Sequence, residues 1–514
     1  VGVSATAIDP RRLSPPADWR RAALLGGCVV AAATWIGVFA TGSAHAFVQR
    51  GVPVLLVPFA LWLFFSERYE LTLGVLLVFL GAIDGLLRDE SGSTLFTLAR
   101  DLLLYAVALG ALVRLVVRRR PVSLPPFTGL VLLWVLVCVV QLANPVNTSE
   151  LHAAAGLRQH LEFVPLFFLG YAVLRTPSRL AGLLMLLLVV AAANGIASIV
   201  EAAAGPTAVA SWGPGFANEV HGAGSQAGGL FVAASGQLQL RPPGLGDSYG
   251  FGGFVGLMAV PGAVALLGVR ALGATRRWLV APLLVAAILA VVASQARSAI
   301  VGACIGLVAF LALTLTSRRG LAALALTAVV GALGYGVLAQ FDASHANRYS
   351  TIAPSRFVHT AVSARQATVA LIPTYAVRYP LGAGIGSVGP AGGSGIGGGP
   401  GPGSHLDAES EFTFLEIETG LPGLAAMLAL TVTFLAVGLR LRRVADPRLQ
   451  RPLAAITAVW VVLSLDWFFG AVSANTPNSP FIWVTAGALA YWYREVRRGR
   501  VAVRPRRLGM ALAR

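Results

Sequence analysis

The chain contains no lysine; its 39 basic residues are all arginines. A phosphate-cradling P-loop needs a lysine behind its glycines, so the Gly/Pro-rich run from Gly382 to Gly403 is not one. Charge of either sign is scarce. Only 12% of the 514 residues are charged while 56% are hydrophobic, about half the charged fraction of soluble globular chains. That balance excludes a string of soluble domains. Cysteine is nearly absent too. Cys28, Cys138 and Cys304 each lie in an apolar run, which offers neither zinc spacing nor a disulfide framework and reads as small buried hydrophobes. The apolar runs lack period-2 alternation, which excludes a transmembrane barrel.

What remains is a series of apolar segments of membrane-spanning length. They fall at about 22–41, 48–66, 71–87, 95–117, 126–143, 155–174, 180–203, 249–269, 278–293, 298–316, 320–339, 412–438, 453–472 and 480–493. Arg20-Arg21 before the first resembles a signal-peptide n-region, but many spans follow, so the expectation is an uncleaved first helix. Threading about fourteen spans from a cytoplasmic N-terminus puts the heavy arginine clusters near 118–120, 270–277, 318–319, 440–451 and 494–507 all on the inside, as the positive-inside rule requires. The net charge of +17 is thereby explained without nucleic acid, since no basic stripe carries interleaved aromatics.

The expected fold is all-α: a polytopic integral membrane helical bundle with two large extracytoplasmic loops, about 204–248 and 340–411. Residues 1–21 form a cytoplasmic tail, 22–493 one transmembrane catalytic domain, and 494–514 a cytoplasmic basic tail. The stretch from 204 to 240 reads as a polar loop. The glycines from Gly382 to Gly403 read as a mobile outer lid or linker, entered from a helix ending near Arg378-Tyr379-Pro380.

Four arginines break the inside pattern. Arg158, Arg241, Arg297 and Arg365 fall at the outer edge. There a guanidinium either snorkels or pairs with an acid, or its planar fork of donors grips phosphate oxygens. Arg297 is the sharpest case, because its turn, Ser294-Gln295-Ala296-Arg297, is very short. The densest chemistry lies at Ser404-His405-Leu406-Asp407-Ala408-Glu409-Ser410-Glu411, ahead of an apolar helix. A carboxylate or imidazole there can take a proton from an attacking hydroxyl. The alternatives are a divalent-cation site and plain capping of the helix N-terminus. His345 and His359 share the same expected outer loop.

Three stretches together resemble the O-antigen ligase and O-antigen polymerase superfamily of bacterial envelope enzymes. They are Arg241-Pro242-Pro243-Gly244 with Asp247; Ser294-Gln295-Ala296-Arg297-Ser298-Ala299; and a run from Arg365 through Tyr379-Pro380-Leu381-Gly382-Ala383-Gly384 to Glu418-Thr419-Gly420-Leu421-Pro422-Gly423. The resemblance covers about residues 125–490. It implies a metal-independent glycosyltransferase of the bacterial cytoplasmic membrane without a cofactor. Such an enzyme takes glycan from a polyprenyl-pyrophosphate-linked oligosaccharide on the outer face and passes it to a glycan or lipid acceptor, alongside envelope-polysaccharide assembly proteins. Arg241, Arg297 and Arg365, with Arg158, match the arginines that hold pyrophosphate. The ligases carry a His-Asn pair nine residues before the Glu-x-Gly-x-x-Gly motif. Here Glu409-Ser410 occupies that slot and His405 stands four residues early, which favours a polymerase-like or divergent member with Glu409 as the base. The rival expectations are a carrier that moves glycan or lipid without chemistry, and an inactive scaffold.

Overall fold

The computed structural model describes residues 47–92, 95–117, 124–147, 149–223, 226–227, 229–232, 238–246, 248–268, 274–314, 363–389, 391, 406 and 408–504. The first and eleventh expected spans, the clusters at 118–120 and 318–319, Asp247, His345, His359, His405, Asp407 and the glycines from Gly392 to Gly403 lie outside the described residues. Residues 1–58 form one compact unit and 59–514 another. Of the first, a π-helical turn (Phe47–Gly51) and the opening of helix α1 (Val52–Phe65) are described.

The described residues of the second unit are helical almost throughout. Helix α2 (Tyr69–Val78) passes through a π-turn (Phe79–Ile83) into α3 (Asp84–Ser91), followed by α4 (Leu95–Val117), α5 (Thr128–Val140), α6 (Glu150–Leu161) and α7 (Pro165–Val173). Next come α8 (Pro177–Ala204) and the short α9 (Pro206–Ala210) and α10 (Pro214–His221). Beyond two small hairpins run α11 (Phe251–Leu267), α12 (Ala274–Ala293), α13 (Arg297–Thr314), α14 (Ser363–Arg378), α15 (Glu411–Leu441), α16 (Pro447–Asp466) and α17 (Asn478–Arg497). Local chemistry sets the starts. Thr176 accepts from the Arg179 amide ahead of Pro177, Asp446 accepts from the Arg448 amide ahead of Pro447, and Ser410 and Thr413 form a reciprocal capping box.

Five helices among the described residues are long and apolar enough to cross a membrane: Tyr69–Ser91, Pro177–Ala204, Arg297–Thr314, Glu411–Leu441 and Pro447–Asp466. That is the architecture of a multi-pass membrane protein. Other apolar helices, among them Thr128–Ala143 and Phe251–Leu267, are shorter. The expected sixth span differs from expectation, because it divides into α6 and α7 around a turn at 162–164. Cys138 is buried as expected. Cys304 is exposed on α13, which corrects its reading as a core residue.

Small residues let the helices approach closely, as apolar surroundings favour. A Cβ on Gly195 of α8 or Gly256 of α11 would collide with α12, and one on Gly170 would collide with the Val484 carbonyl of α17. Phe167, Tyr171 and Leu174 meet Gly487, Tyr491 and Trp492 in step, so α7 and α17 run parallel.

The helix ends sort into two poles. At one, Arg114 donates to Tyr69 and Arg179 pairs with Glu70. There too Arg494 donates to Tyr171, Arg440 reaches Tyr493, and Val444 bridges to Val503. At the other, residues 213–215 pack on Asp89 and Glu90, Gly250 packs on Ala296, and Asn147 packs on Gly384. Glu411 there accepts from the Ser473 amide.

The stretch after α8 is not the plain loop its composition suggests. It folds as α9, α10, a hairpin of β1 (Gly222–Ala223) with β2 (Gln226–Ala227), and a second of β3 (Leu230–Val232) with β4 (Leu238–Leu240). Val209, Phe216, Val220 and Leu240 give it a small apolar core of its own.

Candidate functional site

Strand β4 delivers Arg241 to the second pole. The Arg241 amide donates to the Gly229 carbonyl at 2.9 Å, and Pro242 and Pro243 turn their carbonyls onto the Gly250 and Gly252 amides at 3.2 and 3.3 Å. The segment 241–246 is thus tied to the start of α11. The Arg241 guanidinium lies over the Tyr249 ring at 5.0 Å, and its Nε is buried without an acceptor. Burial lowers the Arg241 pKa; Tyr249 opposes this, and the nearby charge of Arg297 adds to it. Arg297 opens α13 after Gln295, which adopts a left-handed conformation with φ 55°. Arg241 and Arg297, both half-buried, come from separate segments that meet where Gly250 packs on Ala296, and the charge of Arg297 reaches Arg241. Neighbouring like charges repel, and an anion bound at this corner would relieve that cost while accepting from planar forks of donors.

Arg158 takes a different place. On α6 it pairs with Asp101 of α4 and, at 3.1 Å, with Glu162, while Arg100 bridges Asp84 at 3.3 Å and Glu162 at 3.0 Å. Its charge is answered by acids, the bland alternative for an outer-edge arginine. Arg365 lies in α14, and its side chain is outside the described residues. Glu409 is exposed, directly before the helix cap Ser410. His405 and Asp407 are outside the described residues.

The glycines after α14 are where expectation and structure part most clearly. Residues 382–388 are buried rather than forming a lid. The reason is a break in α15. Gly420 has φ 68° and ψ −172°, and Pro422 follows it with no amide hydrogen to donate. The backbone groups released there are taken up from outside the helix. The Ile417 carbonyl accepts from the Ala383 amide at 2.6 Å, Leu421 donates to the Pro380 carbonyl at 3.1 Å, and Gln141 Nε2 donates to the carbonyls of Leu381 at 2.6 Å and Thr419 at 3.1 Å. Unpaired backbone groups are costly in an apolar phase, so the turn and the break require each other. Gly382, Gly384, Gly386 and Gly389 all have positive φ, and a Cβ on Gly386 would strike the His152 carbonyl.

Glu418, one turn before the break's far side, fastens this unit. Fully buried, it meets His160 Nε2 at 2.7 Å and accepts from the Val388 amide at 3.1 Å, with Trp134 and Phe414 packed on the imidazole. Of the other acids of α15, Glu411 accepts from Ser473, whereas Glu416 is fully buried with no hydrogen-bond partner on either oxygen. Among the described residues no group of three or more His, Cys, Asp or Glu side chains could hold a metal ion.

Sequence reasoning passed over His160, Gln141, Asn194 and Glu201. A signal for the last two was available: Asn194, Ser198 and Glu201 stand at i, i+4 and i+7 in an otherwise apolar span, and polar residues placed on one face of a membrane helix mark a function or a contact. Compared with protein-family models and with curated proteins, the chain finds no match.

Proposed function

We propose that the chain is a glycosyltransferase that polymerises or ligates glycan from a polyprenyl-pyrophosphate-linked donor at the outer face of a bacterial cytoplasmic membrane. What carries the reading is the corner where the segments bearing Arg241 and Arg297 meet at Gly250 and Ala296, away from the pole where Arg114, Arg179, Arg440 and Arg494 gather. Two convergent guanidiniums suit a pyrophosphate better than a single carboxylate or phosphate. In this reading the acceptor hydroxyl attacks the anomeric carbon and the bond to pyrophosphate breaks with inversion. The arginines hold the departing charge, and Glu409 takes the hydroxyl proton. Arg365 adds a third donor set to the same group. The chain crosses the membrane about fourteen times with both ends cytoplasmic, and it works beside other envelope-polysaccharide assembly proteins.

The carrier reading has one observation in its favour, the discontinuous helix α15, since transporters build substrate sites from such breaks. Here the carbonyls of Ile417 and Thr419 and the amide of Leu421 at the break are bonded to protein atoms, so these groups do not line a pathway. The two readings separate in detergent with purified polyprenyl-linked donor and acceptor. A transferase lengthens or transfers glycan without a membrane, and a carrier leaves the donor unchanged. In that assay Glu409→Gln lowers transfer at least tenfold, because an amide keeps the shape but cannot take the proton. His405→Ala keeps a measurable part. A silent His405→Ala beside an active Glu409→Gln would reverse the assignment of the base.

Orientation is tested in cells with the three native cysteines replaced by alanine. Ser248→Cys, beside the Arg241 corner, should react with an impermeant thiol reagent in intact cells, and Arg498→Cys only after lysis. The opposite pattern would put the corner on the cytoplasmic side and end the proposal of an external site.

A further inference from the structure

Helix α8 carries three polar side chains on one face within an apolar span, and all three are turned into protein: Asn194, Ser198 and Glu201 are at most 3% exposed. Two of them hold the backbone of the segment that follows Arg241. Glu201 Oε2 accepts from the Gly244 amide at 2.8 Å, and Asn194 Oδ1 accepts from the Leu245 amide at 2.9 Å. Asn194 Nδ2 donates in turn to the carbonyls of Gly81, at 2.8 Å, and Val190, at 2.9 Å. Gly81 belongs to the π-turn of α2, a local distortion often found where a helix serves a site.

The fit around these bonds is close. Gly244 has φ +75°, and a Cβ there would come within 2.9 Å of Asn194 Oδ1 and 3.1 Å of Ser198 Oγ. A Cβ on Gly252, at the start of α11, would come within 2.9 Å of the same Ser198 oxygen. Placing a carboxyl and an amide in an apolar span is costly unless they are bonded. Arg241 itself touches neither. It is carried three residues before Gly244 by a segment whose two prolines leave little backbone freedom, so the height of Gly244 on α8 sets where the guanidinium stands.

We propose that Asn194 and Glu201 are positioning residues for the Arg241–Arg297 corner. They fix the 241–246 segment so that the Arg241 guanidinium faces an anionic pyrophosphate group together with Arg297. The inference rests on the anion-binding reading of that corner and extends it to residues that never touch the anion.

The test is affinity for inorganic pyrophosphate, measured by calorimetry on the purified full chain in detergent, with monodispersity and thermal midpoint recorded for each variant. Wild-type protein binds and Arg241→Ala weakens binding about tenfold. Asn194→Leu and Glu201→Leu each weaken it at least fivefold, and Glu201→Gln, which can still accept from the Gly244 amide, recovers most of the loss. In an Arg241→Ala background the Leu substitutions add nothing further, because their effect runs through Arg241. Gly244→Ala displaces the same segment while leaving both α8 side chains in place. It gives the same weakening, and it decides the matter if the Leu variants do not fold. Full affinity in folded Asn194→Leu, Glu201→Leu and Gly244→Ala, with Arg241→Ala still impaired, would overturn the positioning role and leave the anion site standing. Losses that add to that of Arg241→Ala would overturn it as well. Absence of pyrophosphate binding in the wild type would overturn the anion site, and the positioning role with it.

Discussion

Replacing Arg241 and Arg297 together by alanine is expected to lower glycan transfer from a polyprenyl-linked donor by about a thousandfold. A charge-assisted hydrogen bond contributes about 1.5–3 kcal/mol, and the double variant removes at least one from each guanidinium, about 3–6 kcal/mol in all. At about 1.4 kcal/mol per factor of ten, the loss lies between roughly a hundredfold and ten-thousandfold. Lysine at either position restores only part of the activity, because an ammonium supplies charge without the planar fork. The single variants are expected to be less than additive with each other, since both guanidiniums act on one group. Relief of repulsion works in the same direction: Arg241 holds its charge less firmly because it is buried and lies near Arg297, so removing Arg297 eases it. The measurement is transfer rate against donor concentration for folded variants. Wild-type rates in the double variant would return both arginines to a headgroup-facing role and remove the main support for the transferase.

A second large effect is expected at Glu418, and there it concerns folding. Glu418→Ala strips the acceptor from both the Val388 amide and His160, all buried. Breaking a buried pair from one side costs about 3–5 kcal/mol, most of it the desolvation of the partners left behind. The turn from 381 to 391 should loosen with it, because its other ties are to the backbone around Gly420 and to Gln141, Asn144 and Gln159. In Glu418→Gln the amide oxygen still accepts from the Val388 amide, and the NH2 group can donate to His160 Nε2 once the imidazole carries its proton on Nδ1, so this variant is expected to lose less than half of what the alanine variant loses. Thermal unfolding in detergent, with hydrogen exchange at the Val388 amide, reads both variants. An alanine variant as stable as the wild type would show that the turn does not depend on this side chain. A glutamine variant that is folded but inactive would move Glu418 from holding the turn to the chemistry itself.

Much was legible along the chain because a membrane imposes a one-dimensional rule. A helix must satisfy its own backbone groups over about 20 residues of apolar phase, so α8, α13 and α15 stand close to where hydropathy places them. The turn at Ser294–Arg297 is likewise visible as a polar break between two apolar runs. The start of α15 is visible as Ser410 with Thr413 three residues later, a local pattern needing no tertiary partner. The four arginines expected outside were singled out by position alone, because they depart from the clusters that the positive-inside rule explains.

The tertiary structure decided what those residues do. Arg158 and Arg241 look alike in sequence, yet one lies among Asp101 and Glu162 and the other beside Arg297. Sequence offers no way to read that difference, because the partners are up to 57 residues away. The glycine run from Gly382 illustrates the same limit. Its composition suits a free loop, and only the broken helix at Gly420, with backbone groups to satisfy, gives Gly382, Gly384 and Gly386 a buried place. Glu409, Glu411, Glu416 and Glu418 form a nearly continuous acidic pattern along ten residues. Helical rotation and packing then separate them into an exposed acid, one bonded to Ser473, one buried without a partner and one bonded to His160. Hydropathy acts locally along the chain, so sequence by itself determined where the long apolar helices of a multi-pass membrane protein run. Pairing acts between distant segments in an apolar interior, so only the packed chain decided which charge meets which.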